Sequence, residues 1–152
     1  MGHKTTFNEM YELISEQLES GGSVRFSPNG TSMLPFIVQG RDEVVVKKAN
    51  GRLKKYDIAF YRRKNGSYIL HRVVKFDKNK NYIFRGDHQF EYEYGITDSN
   101  IIGVVEKVYR SGKCIEANTF TYWAWAVFGS LYFRTKNRIY KIKQKMEKKN
   151  DN

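Results

Sequence analysis

Apolar residues Phe7, Met10, Ile14 and Leu18 recur at spacings of three and four, which predicts a helix over residues 7–20 with one buried face. Thr6-Phe7-Asn8-Glu9 has the spacing of a capping box, and Gly21-Gly22 ends the pattern. From Val24 onward the period shortens. Runs rich in β-branched and aromatic residues at Ser23–Ser27, Glu43–Lys48, Asp57–Arg62, Tyr68–Phe76, Asn81–Gly86 and Ile101–Tyr109 predict strands. Asn50-Gly51, Asn65-Gly66 and Ser111-Gly112 mark turns between them, and Asp77-Lys78-Asn79-Lys80 is expected to join two antiparallel strands. There is no internal repeat and no low-complexity linker. The pattern divides the chain into an N-terminal helix (1–22), a mainly β body (23–116) and a C-terminal helical segment (117–152).

That last segment changes character midway. Ala117 to Phe133 carries no charge and is crowded with Phe120, Tyr122, Trp123, Trp125, Phe128, Tyr132 and Phe133. A spanning helix needs ~20 predominantly apolar residues, whereas this stretch is shorter and polar at Asn118, Thr119, Thr121 and Ser130. Its rings are of the kind favoured at headgroup depth, so the segment reads as interfacial. Beyond it, Phe128, Tyr132, Ile139, Ile142 and Met146 recur at helical spacing among Lys and Arg, a basic amphipathic helix. Two readings stay open: aromatic packing on the β core or in a dimer, and contact of residues 117–149 with an anionic membrane surface. A nucleic-acid partner has only the charge in its favour, because no recognised nucleic-acid motif accompanies it.

Composition adds limits. At 152 residues, 40% of them hydrophobic, the chain is long enough for one globular domain with an appended tail. Its formal charge of +11 is concentrated at the end: Arg134 to Lys149 contains eight Lys or Arg and one acid, Glu147. The single Cys114 cannot form an internal disulfide, and three His with one distant Cys offer no zinc cluster, so neither metal nor cofactor is expected. Lys4, Glu9, Glu12, Glu16 and Glu19 interrupt the first twenty residues, so no secretory signal is expected there. The expected location is the cytoplasm, peripheral at the membrane if the tail binds lipid.

Candidate chemistry lies in Gly30-Thr31-Ser32-Met33-Leu34-Pro35 and Leu70-His71-Arg72-Val73-Val74. A serine hydroxyl needs a neighbouring base for acyl transfer, and histidine, with an ordinary pKa of ~6.5, suits that role. Taken singly, Ser32 is an ordinary turn residue, and His71, alternating with Ile69 and Val73, is a core or surface histidine. His88, next to Asp87, is a rival base, and His3 has no expected role. Asp42 and Asp57 lie in turns and are expected to accept backbone N–H bonds.

The order of these segments with Gly40-Arg41-Asp42, Tyr56-Asp57-Ile58, Gly86-Asp87 and Ile102-Gly103-Val104-Val105 resembles the signal-peptidase and LexA-like superfamily of serine peptidases, over residues 23–110. His71-Arg72 resembles the histidine branch of that superfamily rather than its lysine branch. The resemblance implies a coiled, mostly antiparallel β-sheet with a hydrophobic substrate groove. It also implies Ser32 as nucleophile and oxyanion donor, His71 as general base, and Asp87 as an acid near the dyad. Thr31, Met33 and Pro35 would shape the turn and its oxyanion site. The substrate would be an extended peptide or protein with small residues at the cut, such as a leader or precursor.

Three departures accompany the resemblance. Gly30 stands where signal peptidases often carry a second oxyanion-holding serine, for which Thr31 is the available substitute. The aspartate that follows Gly-Asp in histidine-branch enzymes is not present here, so Glu93, Glu91 or Asp87 itself is the candidate for orienting His71. The N-terminal membrane anchor usual in these enzymes is not expected. The alternative function is a non-catalytic peptide-binding or regulatory module that keeps the fold. A self-processing repressor is disfavoured, since some twenty residues before the peptidase region cannot make a helix-turn-helix domain.

Overall fold

The β-branched runs pair into one seven-stranded sheet whose ladders are all antiparallel. The computed structural model describes residues 7–117 and 119–150. Helix α1 (Phe7–Glu19) precedes β1 (Ser23–Phe26), β2 (Asp42–Lys47), β3 (Ile58–Arg62), β4 (Tyr68–Phe76) and β5 (Tyr82–Arg85). A 3-10 turn at Asp98–Asn100 leads into β6 (Ile101–Arg110), β7 (Lys113–Glu116) and helix α2 (Phe120–Asn150). The main path runs β1-β2-β6-β3-β4-β5. One edge of β6 takes β2, while β3 and β7 share the other, at Ile101–Val104 and Lys107–Arg110. Register shifts in the β2–β6, β3–β6 and β4–β5 ladders bend the sheet.

Strand β7 is an element that the residue pattern does not predict, because Lys113-Cys114-Ile115-Glu116 is short and holds one strong β-former. Its cause is the preceding turn: Ser111 and Gly112 both take positive φ, 47° and 78°, the twist that suits a two-residue hairpin. The expected capping residue Thr6 lies outside the described residues.

The sheet buries both faces. Ile14 and Leu18 of α1 pack with Phe26, Val44, Val46, Phe60, Val105 and Val108 on one side. Ala59, Tyr61, Val73, Tyr82 and Phe84 form a second cluster with Leu53 and Ile96. This explains why β3 reads as a continuous apolar run rather than an alternating one. Thr119 precedes helix α2, and its Oγ1 accepts the Tyr122 N–H at 3.4 Å. Its root packs through Tyr122 and Ala126, both buried, while the rest of its aromatic residues with described side chains are exposed. Among the described residues no helix is long and apolar enough to cross a membrane.

Candidate active site

Ser32 sits in the loop joining β1 to β2, on a turn fixed from below. Met33, Phe36 and Ile37 are buried and anchor it, whereas Thr31 and Pro35 are exposed and Ser32 is half-buried. Backbone bonds from Leu34 N to Thr31 O (3.2 Å) and Ile37 N to Met33 O (2.9 Å) close the turn. Gly30, at φ 97°, donates its N–H to Gln39 Oε1 at 2.9 Å.

Two further supports hold the loop. Asp42, fully buried, accepts the Val38 N–H at 2.9 Å and is paired with Arg41 and Arg110. Burial opposes its charge, but the hydrogen bonds from Arg41, Val38 and Arg110 prevail and hold its pKa down at about 2. Arg110 Nη2 also donates to Phe36 O. From the other side, His88 N–H donates to Ser32 O at 2.8 Å. A Cβ on Gly86 would come within 2.6 Å of that same Ser32 oxygen, so the Gly-Asp motif needs glycine for this close approach.

His71 is buried on β4, opposite Ala59 of β3. Its Nδ1 lies 3.4 Å from Glu93 Oε2 and 3.3 Å from the Tyr61 hydroxyl. Tyr61 spends its one proton on Glu93 Oε2, at 2.7 Å, so its oxygen can only accept from the histidine. With a carboxylate and this hydroxyl oxygen as acceptors beside it, Nδ1 is the donor position, and a neutral ring in this orientation has its lone pair on Nε2, the tautomer a general base requires.

Glu93 is itself tied down, by the ladder-like pairing of its backbone with Phe84 and by Arg63, whose Nε and Nη2 both donate at 2.6 Å. Burial raises the cost of its charge, but hydrogen bonds from Arg63, His71 and Tyr61 outweigh that and keep Glu93 well below the usual glutamate range. Burial beside Glu93 pushes the Tyr61 phenol up, so it stays protonated.

Asp87 is placed on a different partner. It binds Arg72 through Nε and Nη2, at 2.8 and 2.6 Å. Arg72 is fully buried, donates to Tyr56 O at 3.1 Å, and lies over the rings of Phe36 and Tyr122. Burial works against the guanidinium charge, yet Asp87 raises its pKa above the ordinary arginine value. The His-Arg pair thus points two ways: His71 to Glu93, Arg72 to a brace linking Asp87, the Ser32 turn and α2. Glu91 is exposed and lines a surface groove with Arg63, His88 and Tyr94. Asp57 accepts the Lys54 N–H at 2.7 Å, a turn role.

Ser32 and His71 line the same cleft, about 80 Å³, with Tyr11, Phe26, Met33, Phe60 and Tyr68 among its walls. Among the described residues no hydrogen bond joins Ser32 Oγ to His71. Along this cleft Tyr68–His71 pair with β3, while β5 engages β4 only from Arg72 onward, which leaves the other edge of Tyr68–His71 outside any ladder among the described residues. No three His, Cys, Asp or Glu side chains converge as a metal site among the described residues.

Tyr61, Arg63 and Tyr11 belong to the site but escape a reading of the chain in order. A signal for the first two exists: Ala59, Tyr61 and Arg63 alternate, and a register setting Ala59 against His71 puts Tyr61 and His71 on one face. Comparisons with protein-family models, with curated proteins and with solved structures each returned no match.

Proposed function

We propose that this chain is a serine endopeptidase of the signal-peptidase-like, LexA-like type, histidine branch, that cuts an extended leader or precursor peptide. The observation that carries the reading is the polarised His71: its Nδ1 faces Glu93 and Tyr61, and the residue lines the same cleft as Ser32. In the proposed mechanism, Ser32 Oγ attacks the scissile carbonyl carbon while His71 Nε2 takes the hydroxyl proton. The Ser32 N–H donates to the oxyanion, and Glu93 stabilises the imidazolium without taking its proton. His71 then protonates the leaving amine as the C–N bond breaks. Water, deprotonated by His71, hydrolyses the acyl-enzyme and restores the Ser32 hydroxyl. The open edge of Tyr68–His71 supports binding of the substrate as an added strand, with backbone bonds for affinity and alternate side chains for specificity. The narrow cleft between Met33, Phe60 and Tyr68 favours a small side chain beside the cut.

The second reading, a peptide-binding module without turnover, is favoured by the missing Ser32–His71 hydrogen bond and by Gly30. Catalytic hydrogen bonds are often long in an unliganded site and tighten with substrate, so the peptidase reading stands first. The test is a diverse peptide library incubated with wild type, Ser32→Ala and His71→Ala and read by mass spectrometry. Cuts after small residues that vanish in both variants are expected. Peptides retained without any Ser32-dependent product would establish the binding module instead.

A further inference from the structure

Past its buried root, α2 exposes apolar residues in register. Phe128, Leu131, Tyr132, Ile139, Ile142 and Met146 are each at least 51% exposed. Their spacings of three, four and seven residues lay them along one stripe of a helix that turns about 100° per residue. Arg138 borders the stripe on one side, Lys136 and Lys143 on the other, all exposed. Arg134 to Lys149 carries eight Lys or Arg against the single acid Glu147. Exposure rules out the chain's own core as the cover for this face. A second copy is a poor cover too, since opposing two such helices would press their cationic borders together with little acid to offset them.

An anionic lipid surface fits both parts. The apolar stripe enters the boundary between headgroups and acyl chains, and the bordering cations meet lipid phosphates. Half-exposed Trp123 and Trp125 lie one to two turns before the stripe, with rings suited to headgroup depth. We propose that the outer face of α2 docks the protein on an anionic lipid bilayer. Pro35, three residues from Ser32, lines an apolar groove with Trp125, Phe128 and Tyr132, so docking brings the Ser32 turn to the lipid surface. The docking itself does not depend on turnover.

The test uses the full chain with vesicles of phosphatidylcholine alone or mixed with phosphatidylglycerol, at low salt, read by co-sedimentation and tryptophan emission. Binding to the anionic vesicles with a blue-shifted emission is expected. Lys136→Gln/Arg138→Gln/Lys143→Gln should weaken it on the order of 100-fold. Ile139→Ser/Ile142→Ser should weaken it at least ~10-fold by removing apolar contact. All these positions are exposed, and an unchanged circular dichroism spectrum checks the fold. Equal binding to phosphatidylcholine, no binding to either vesicle, or indifference to the isoleucine changes would overturn the proposal. So would a dimer in light scattering that Ile139→Ser/Ile142→Ser dissociates. Ser32→Ala should bind vesicles as wild type does, so failed docking and failed catalysis give separate results.

Discussion

Glu93 decides how His71 behaves. Its charge is held by Arg63 and Tyr61, so it can orient the Nδ1 proton and offset a positive imidazole without being neutralised. Glu93→Gln keeps the shape and removes the charge. Peptide cleavage is expected to lose about 100-fold or more in kcat with KM little changed, as steady-state kinetics would show. Tyr61→Phe keeps the ring against Phe84 but deletes the hydroxyl that bridges His71 and Glu93, and should cost about 10-fold in kcat. The sign of the pH effect follows from the depressed Glu93 pKa: the carboxylate stays charged below the ordinary glutamate range. Glu93 is therefore not expected to set the acid limb of a kcat/KM profile, and Glu93→Gln should lower the plateau without removing that limb. These roles were only partly open to a sequence reading. Ser32 and His71 stand inside short motifs, but choosing Glu93 over Glu91 and Asp87 requires knowing that its backbone pairs with Phe84.

The Ser32 turn is a short element with little regular hydrogen bonding of its own, so its position depends on neighbours. Gly86 supplies one of them by letting a backbone pass where any side chain would meet Ser32 O. Gly86→Ala is expected to push the turn away from His71 and cut kcat/KM on the order of 100-fold, since a displacement near 1 Å has that effect. The melting temperature should fall with it. If cleavage were unchanged, the Gly-Asp segment would have no part in placing Ser32. Most strands were legible because hydrophobic alternation and turn residues are local signals. Strand β7 was not, because its pairing depends on the Ser111-Gly112 twist and on an edge of β6 left open by β3.

Across the whole molecule, Asp42 joins the serine loop to the end of β6 through Val38, Arg41 and Arg110. Its pKa of about 2 lies below the ordinary aspartate value, so its contribution to stability is present above about pH 4 and fades as pH falls toward 2. The difference amounts to about 2 kcal/mol. Urea unfolding should find Asp42→Asn less stable by at least that at pH 7, with the gap to wild type narrowing toward pH 2. A gap independent of pH would show that packing, not charge, is what Asp42 supplies. Periodicity, turn chemistry and charge distribution were enough to determine the mainly β class, the flanking helices and the aromatic-to-basic tail, because each is a property of residues close in the chain, whereas the candidate dyad rested on the resemblance of short motifs around Ser32 and His71. Tertiary structure alone decided the acid that meets His71, the Arg72–Asp87 brace and the outward face of α2. Each of these joins segments far apart in sequence, and only strand register and packing bring such groups within hydrogen-bonding distance or leave them facing solvent.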